Sequence, residues 1–280
     1  MILEGKKYAE LINNETKEIL KELNEKSIYP CLAVVVVGND PASAVYVRNK
    51  KKVLDNLGIS NMDVVLPEDI SKEELEKKLD ELSNNKVNNK VVTSILLQLP
   101  LPEHLKEDTN EIMSHICSTK DVDGFTAENI GNLDLYKNVI APCTPAGIIK
   151  MLKYENVEID GKHVVIVGRS NIVGKPLAKL FLQENATVTI CHSHTKDLRK
   201  FTSDADILIA AVGKANFITA DMVKEDSIVI DVGINRVNGK LVGDVDFEHV
   251  KDKVEMITPV PGGVGKITTA MLAFNIVRYI

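Results

Sequence analysis

The sequence predicts an α/β protein: two α/β domains flanking a cleft, with mostly parallel sheet. Three observations predict it. Apolar runs of strand length alternate with amphipathic helical segments, twice over, and the rhythm breaks near residues 125–145. The run Val164–Val167 is four consecutive β-branched residues, the pattern of a strand buried on both faces. Gly168 and Gly174 then bracket a short turn ahead of a helical segment bearing Leu177, Ala178, Leu180 and Phe181. A strand, a small-residue turn and a helix N-terminus make an anion site, because free backbone N–H groups and the helix dipole point at the turn. The second domain is therefore expected to be a Rossmann-like dinucleotide-binding domain. The run reads Gly168-x-Ser170-x-x-x-Gly174, not G-x-G-x-x-G, so a plain βα turn without a ligand also fits this stretch alone.

Composition agrees with this class. The chain has 280 residues, enough for one or two domains with real cores, and its 44% hydrophobic and 26% charged residues are those of a globular protein. A net charge of −6 argues against a general nucleic-acid binder, so any phosphate site must be local. No apolar run approaches a membrane span, and the opening Met1–Lys6 lacks a secretory layout; a cytoplasmic chain is expected. Cys31, Cys117, Cys143 and Cys191 show no C-x-x-C spacing and are expected to be free thiols.

In chain order, residues 4–26 carry Tyr8, Leu11, Ile12, Ile19, Leu20 and Leu23 at helical spacing among charges. Leu32–Val37 reads as a buried strand and Gly38–Pro41 as a turn. Ser43 is the expected N-cap of a helix running to about Leu57. A short strand, Asp63–Leu66, precedes a Ser71/Glu74 capping box and a helix to about Leu82. Polar, turn-rich residues 83–90 lead to a buried strand, Ser94–Leu97. From Asp121 to Pro142 the pattern is irregular, as a crossover between domains would be. Thr144-Pro145 is a good N-cap and N1 pair for a helix to Tyr154. Strands are then expected at 164–167, 187–191, 207–212, 228–232 and 255–258. Asn238-Gly239 should turn a small hairpin, Pro259–Gly265 should form an irregular loop, and Thr268–Tyr279 a last helix.

Few residues suggest chemistry. Tyr46 and Lys50, spaced i, i+4, share a helix face, although Arg48, Lys51 and Lys52 suit a solvated basic face as well. Tyr-x-x-x-Lys is also the spacing of the short-chain dehydrogenases. There the nucleotide loop comes first, whereas Tyr46 precedes Gly168 by more than a hundred residues, so that identification fails. Gln98 follows a buried strand. Asp121 and Asp123 flank Val122 ahead of Gly124, the pattern of a turn with exposed carboxylates, and no third acidic residue follows at calcium-loop spacing. Cys191-His192-Ser193-His194 lacks a matching second ligand pair, so no metal site is expected. NAD sites usually carry Asp or Glu at the end of the second strand. Here His192-Ser193 stands there and Arg169 sits in the phosphate turn, which favours a 2′-phosphate, hence NADP.

Six motifs occur in order: Asp40-Pro41-Ala42-Ser43-x-x-Tyr46-Val47-x-x-Lys50, Gln98–Pro102, Lys120–Phe125, Pro142-Cys143-Thr144-Pro145-x-Gly147, Gly168-Arg169-Ser170-x-Ile172-Val173-Gly174-x-Pro176, and Pro259–Gly265. Together they resemble the bifunctional methylenetetrahydrofolate dehydrogenase/methenyltetrahydrofolate cyclohydrolase family over essentially the whole chain. The resemblance implies oxidation of 5,10-methylenetetrahydrofolate by NADP⁺, then hydrolysis of the methenyl cation to 10-formyltetrahydrofolate. It makes Lys50 the general acid/base, tuned by Gln98, and has Tyr46 orient the aminobenzoyl group. Asp123 would hold the pterin; Pro261, Gly262 and Gly263 would also meet substrate. Arg169 and Ser193 would contact the 2′-phosphate, with Gly168, Ser170 and Ile234 lining the rest of the cofactor site. The implied domains are a folate-binding catalytic domain, 1–139 plus 267–280, and an NADP-binding domain, 140–266. A homodimer without membrane or nucleic-acid partners is implied too. One departure stands out: the family's Pro-Met-Thr after the glycine run is here Lys266-Ile267-Thr268, with Lys266 expected to be solvated. A dehydrogenase without hydrolase activity and a non-catalytic nucleotide-binding protein are the alternatives.

Overall fold

Helix α1 (Gly5–Glu25) buries Tyr8, Ile12, Leu20 and Leu23 and leaves Lys6, Lys7, Glu10 and Glu18 in water, the division its spacing dictates. It opens a computed structural model that describes residues 1–39, 41–84, 86–87, 90–136 and 139–280, the side chains of 41–46, 86, 87 and 90 excepted. Strand β1 (Cys31–Val37) follows, then α2 (Pro41–Leu57), β2 (Ser60–Leu66), α3 (Lys72–Asn84), β3 (Lys86–Val87), β4 (Lys90–Val91) and β5 (Ser94–Leu97). β1, β2 and β5 form a parallel sheet in the order β2-β1-β5, with β1 central and nearly all buried. Helix α2 begins at Pro41, so Ser43 lies inside it and is not the N-cap; proline suits the first helical position because its missing N–H would be unpaired there anyway. β2 begins three residues ahead of the expected Asp63, since edge position leaves alternate residues exposed and no apolar run marks its start. The capping box is present: Glu74 N–H donates to Ser71 Oγ at 3.2 Å and Ser71 N–H to Glu74 Oε2 at 3.2 Å. Of the turn-rich 83–90 stretch, Asn85, Asn88 and Asn89 lie outside the described residues. Leu75, Leu79 and Leu82 of α3 pack with Ala33, Val35, Ile95 and Leu97 into one core.

Short α4 (Thr109–Met113) precedes α5 (Ala127–Leu135), a helix inside the stretch expected to be irregular. Thr126 caps it, its Oγ1 accepting the Asn129 N–H at 3.3 Å.

The remaining elements are α6 (Cys143–Tyr154), β6 (His163–Val167), α7 (Gly174–Gln183), β7 (Thr187–Cys191), α8 (Leu198–Thr202), β8 (Ile207–Ala210), β9 (Ile228–Asp231), β10 (Asn235–Val237), β11 (Lys240–Val242), α9 (Phe247–Val250), β12 (Met256–Ile257) and α10 (Val264–Arg278). α6 starts at Cys143, so Thr144 is not its cap; the Thr144 hydroxyl instead meets that of Thr268 at 2.8 Å. Helix α10 begins four residues before the expected Thr268, within the glycine-rich run. Five parallel strands order as β12-β9-β8-β6-β7, and β10–β11 form the expected hairpin. The chain runs from β6 to β7 on one side and then crosses to β8 on the other. The strand order therefore reverses between β6 and β8, where such sheets take their ligands.

Two compact units result, Leu11–Cys143 with Thr269–Ile280, and Met1–Glu10 with Thr144–Thr268. Met1–Glu10 joins the second through a parallel bridge of Ile2 with Ile257 and hydrogen bonds from Leu3 N–H to Ile257 O (2.7 Å) and from the Tyr8 hydroxyl to Glu155 (2.8 Å).

Candidate active site

In the first unit, parallel pairing sets Gln98 just past the C-terminal end of β5, beside the end of β1 from which α2 departs. Gln98 Nε2 donates to Leu99 O at 2.7 Å, which leaves Oε1 to receive Lys50 Nζ at 3.4 Å. Lys50 is half-buried. Its charge reaches Cys143, whose thiol burial pushes well above the usual range, the Asp123 carboxylate adding to the rise and Lys50 opposing it. Cys143 Sγ lies 3.7 Å from Asp123 Oδ1, so Lys50, Gln98, Cys143 and half-buried Asp123 form one cluster. The Tyr46 side chain lies outside the described residues.

The Asp123 loop is held from two directions. Asp121 is 2% exposed and accepts N–H groups from Gly124 (3.0 Å) and Thr126 (2.8 Å) and the Asn129 amide (3.0 Å). This corrects the expected turn with two exposed carboxylates: Asp121 is an internal acceptor, and burial raises its carboxyl above the usual range despite those donors. From α10, Asn275 Nδ2 donates to Val122 O (2.9 Å) and Ala141 O (3.1 Å), tying the Asp123 loop to the segment that carries Cys143. Gly124, at φ +70°, sits so close that a Cβ would stand 2.9 Å from the Ala141 carbonyl carbon. Sequence reasoning missed Asn275, which an apolar helical pattern conceals, and passed over Cys143 as anything but part of a motif.

In the second unit, Gly168 at φ +135° ends β6, and a Cβ there would stand 2.2 Å from Ala211 O in the loop after β8. A Cβ on Gly174 would meet Gly168 O at 2.2 Å, so both glycines let the turn close tightly onto the start of α7. Ser170 Oγ accepts the Val173 N–H at 3.2 Å, shaping the turn. The Arg169 side chain is exposed and makes no hydrogen bond or ion pair among the described residues. At the end of β7, Ser193 is exposed, and the His192 ring accepts the His194 N–H at 3.2 Å within a local turn. Ile234, after β9, is 50% exposed. In the glycine run Gly262 O accepts the Gly5 N–H at 2.8 Å, Pro261 and Gly262 are exposed, and Gly263 is buried. A tight turn at the N-terminus of a ten-residue helix, an unengaged guanidinium and no carboxylate at the end of β7 fit a dinucleotide with a 2′-phosphate.

Residues 3–123 match the family model described as tetrahydrofolate dehydrogenase/cyclohydrolase, catalytic domain, and residues 142–280 match that of the family's NAD(P)-binding domain. The chain belongs to the tetrahydrofolate dehydrogenase/cyclohydrolase family. It is 51% identical over 278 residues to the bifunctional protein FolD of Agathobacter rectalis, covering 99% of this chain and 98% of that one. Among solved structures of the family it resembles the bifunctional FolD methylenetetrahydrofolate dehydrogenase/cyclohydrolase of Campylobacter jejuni, with a TM-score of 0.95, 46% identity and 100% and 98% of the two chains covered. The Trypanosoma brucei methylenetetrahydrofolate dehydrogenase-cyclohydrolase, solved with NADP cofactor and an inhibitor, matches with a TM-score of 0.91 and 34% identity over 100% of this chain and 96% of that one. The family's two parts thus account for both α/β units.

Proposed function

We propose that this family member oxidises 5,10-methylenetetrahydrofolate with NADP⁺ and hydrolyses the resulting 5,10-methenyl cation to 10-formyltetrahydrofolate, with Lys50 as the proton-transfer group. The observation that carries the reading is the cluster of Lys50, Gln98 and Asp123, all within the residues that match the catalytic-domain model, with Cys143 beside Asp123. Bound NADP⁺ supplies the hydride acceptor. The first step needs no strong base, because the two nitrogens flanking the methylene carbon stabilise the cation as hydride leaves; holding the folate in place is the protein's main contribution.

Asp123 accepts the amino and ring N–H groups of the pterin, a carboxylate-to-amide pairing with geometric specificity. Tyr46 orients the aminobenzoyl portion, and Pro261, Gly262 and Gly263 add contacts to substrate. In hydrolysis, water adds to the methenyl carbon and loses a proton to Lys50. As the bond from that carbon to the ring nitrogen breaks, Lys50 returns a proton to the nitrogen, and the second proton of the water passes to solvent. Gln98 Oε1 fixes the direction of Lys50 Nζ throughout.

Arg169 and Ser193 hold the 2′-phosphate, while Gly168, Ser170 and Ile234 line the rest of the cofactor site. The functional domains are a folate-binding catalytic domain, 1–139 plus 267–280, and an NADP-binding domain, 140–266. The chain works as a cytoplasmic homodimer joined through the nucleotide domain, supplying one-carbon units for purine biosynthesis. The exposed edge strand β7, with Ile190 facing water, supports that mode of pairing.

The test is spectrophotometric. With methylenetetrahydrofolate and NADP⁺, NADPH absorbance should rise, and the methenyl compound added alone should lose its absorbance at an enzyme-dependent rate. Absence of the first signal defeats the dehydrogenase reading; absence of only the second leaves a dehydrogenase alone.

A further inference from the structure

Two buried carboxylates in the second unit take no part in the reaction just described. Asp244 is fully buried and accepts three consecutive backbone N–H groups, those of Val212 (2.6 Å) and Gly213 (2.9 Å) on Oδ2 and that of Lys214 (2.9 Å) on Oδ1. Oδ1 also accepts the Asn235 amide at 2.9 Å. Asp231, at the end of β9, holds the segment that presents Asp244: it accepts the N–H groups of Gly233 (3.0 Å), Asp244 (2.9 Å) and Val245 (2.9 Å). The packing leaves no room for other side chains. A Cβ on Gly233 would lie 2.1 Å from the Asp244 carboxyl carbon, and one on Gly243 would lie 1.8 Å from Asp231 Oδ2.

The turn that Asp244 gathers follows β8, one of the two strands between which the strand order reverses. The other is β6, whose Gly168 packs directly against Ala211 at the start of that same turn. Ligands of such sheets lie in the crevice outside the strand ends at this point. We propose that Asp244 is a positioning residue for the dinucleotide: it folds the 212–214 turn into a fixed wall of the crevice and, through Asn235, ties that wall to the segment carrying Ile234. The proposal rests on the NADP-dependent reading of this unit. Without the carboxylate, three adjacent N–H groups lose their acceptor and the wall loses its defined shape.

The experiment compares the full chain with Asp244→Asn, which turns one acceptor oxygen into a donor facing N–H groups. NADP⁺ is titrated calorimetrically, and the hydrolysis of methenyltetrahydrofolate is followed without nucleotide. The dissociation constant and KM for NADP⁺ should each rise about tenfold. Hydrolysis, which needs no nucleotide, should stay within about twofold of the parent. A merely structural role would lower both activities together with the melting temperature. If Asp244→Asn does not fold, Asn235→Ala, which removes one donor and keeps the carboxylate, should raise the NADP⁺ dissociation constant about threefold. Unchanged NADP⁺ affinity in the folded variant, or parallel loss of both activities, overturns the proposal. A parent chain that binds NADP⁺ but turns over neither folate defeats the proposed function, while the dissociation constants still judge Asp244.

Discussion

Asp121 and Asp123 stand two residues apart and do different work: Asp121 is sealed among donors, whereas Asp123 keeps an oxygen beside Cys143. Nothing in Asp-Val-Asp-Gly separates them, because the donors that fill the Asp121 oxygens, the N–H groups of Gly124 and Thr126 and the Asn129 amide, converge only once the loop runs into α5. The motif itself was legible; its internal division of labour was not. Burial likewise lifts the Asp231 carboxyl to about 6, with Asp244 adding to the rise and backbone donors opposing it. A carboxyl whose folded value lies above its unfolded one binds its proton more tightly in the native state. Its contribution is therefore present in acid and lost as pH rises from about 4 through about 6, a span of roughly 3 kcal/mol. Carbon NMR of the Asp231 carboxyl should show a midpoint near 6, and a midpoint below about 4 would contradict its burial. Arg169 was legible from the sequence as a charge in the turn after a buried strand, and its side chain is exposed. Arg169→Ala should weaken NADP⁺ far more than NAD⁺ in steady-state kinetics; equal losses would show that the 2′-phosphate is held elsewhere.

Among the elements, those fixed by local chemistry were read well and those fixed by context were not. The buried parallel strands β1, β5, β6 and β8 announce themselves as apolar or β-branched runs. So does α3, whose capping box pairs Ser71 with Glu74. Ser71→Ala should destabilise the fold by about 1 kcal/mol in chemical denaturation, and no change would mean that the box contributes nothing. The start of β2 escaped notice because an edge strand needs no apolar run. Helix α5 escaped because it buries only Asn129 and Leu133, too little to leave a periodic stripe. α10 begins early because a glycine-rich stretch reads as a loop, yet Val264 and Ile267 are buried and Lys266 is exposed, as a helix face requires.

At the scale of the whole molecule, four of the six motifs bring Lys50, Gln98, Asp123 and Cys143 together in the first unit. The fifth, with Gly168 and Gly174, shapes the turn after β6 in the second unit, where the sixth, Pro259–Gly265, also lies. Each motif was readable separately, but proximity within a unit is a property of the fold. Under the proposed mechanism one protein runs two chemistries, and only hydrolysis depends on a proton carried by Lys50. The decisive measurement is on Lys50→Met, with methenyltetrahydrofolate hydrolysis and folate binding followed on the same preparation. Hydrolysis should be abolished while folate binding remains measurable. Hydrolysis at the parent rate would remove Lys50 from the proton transfer.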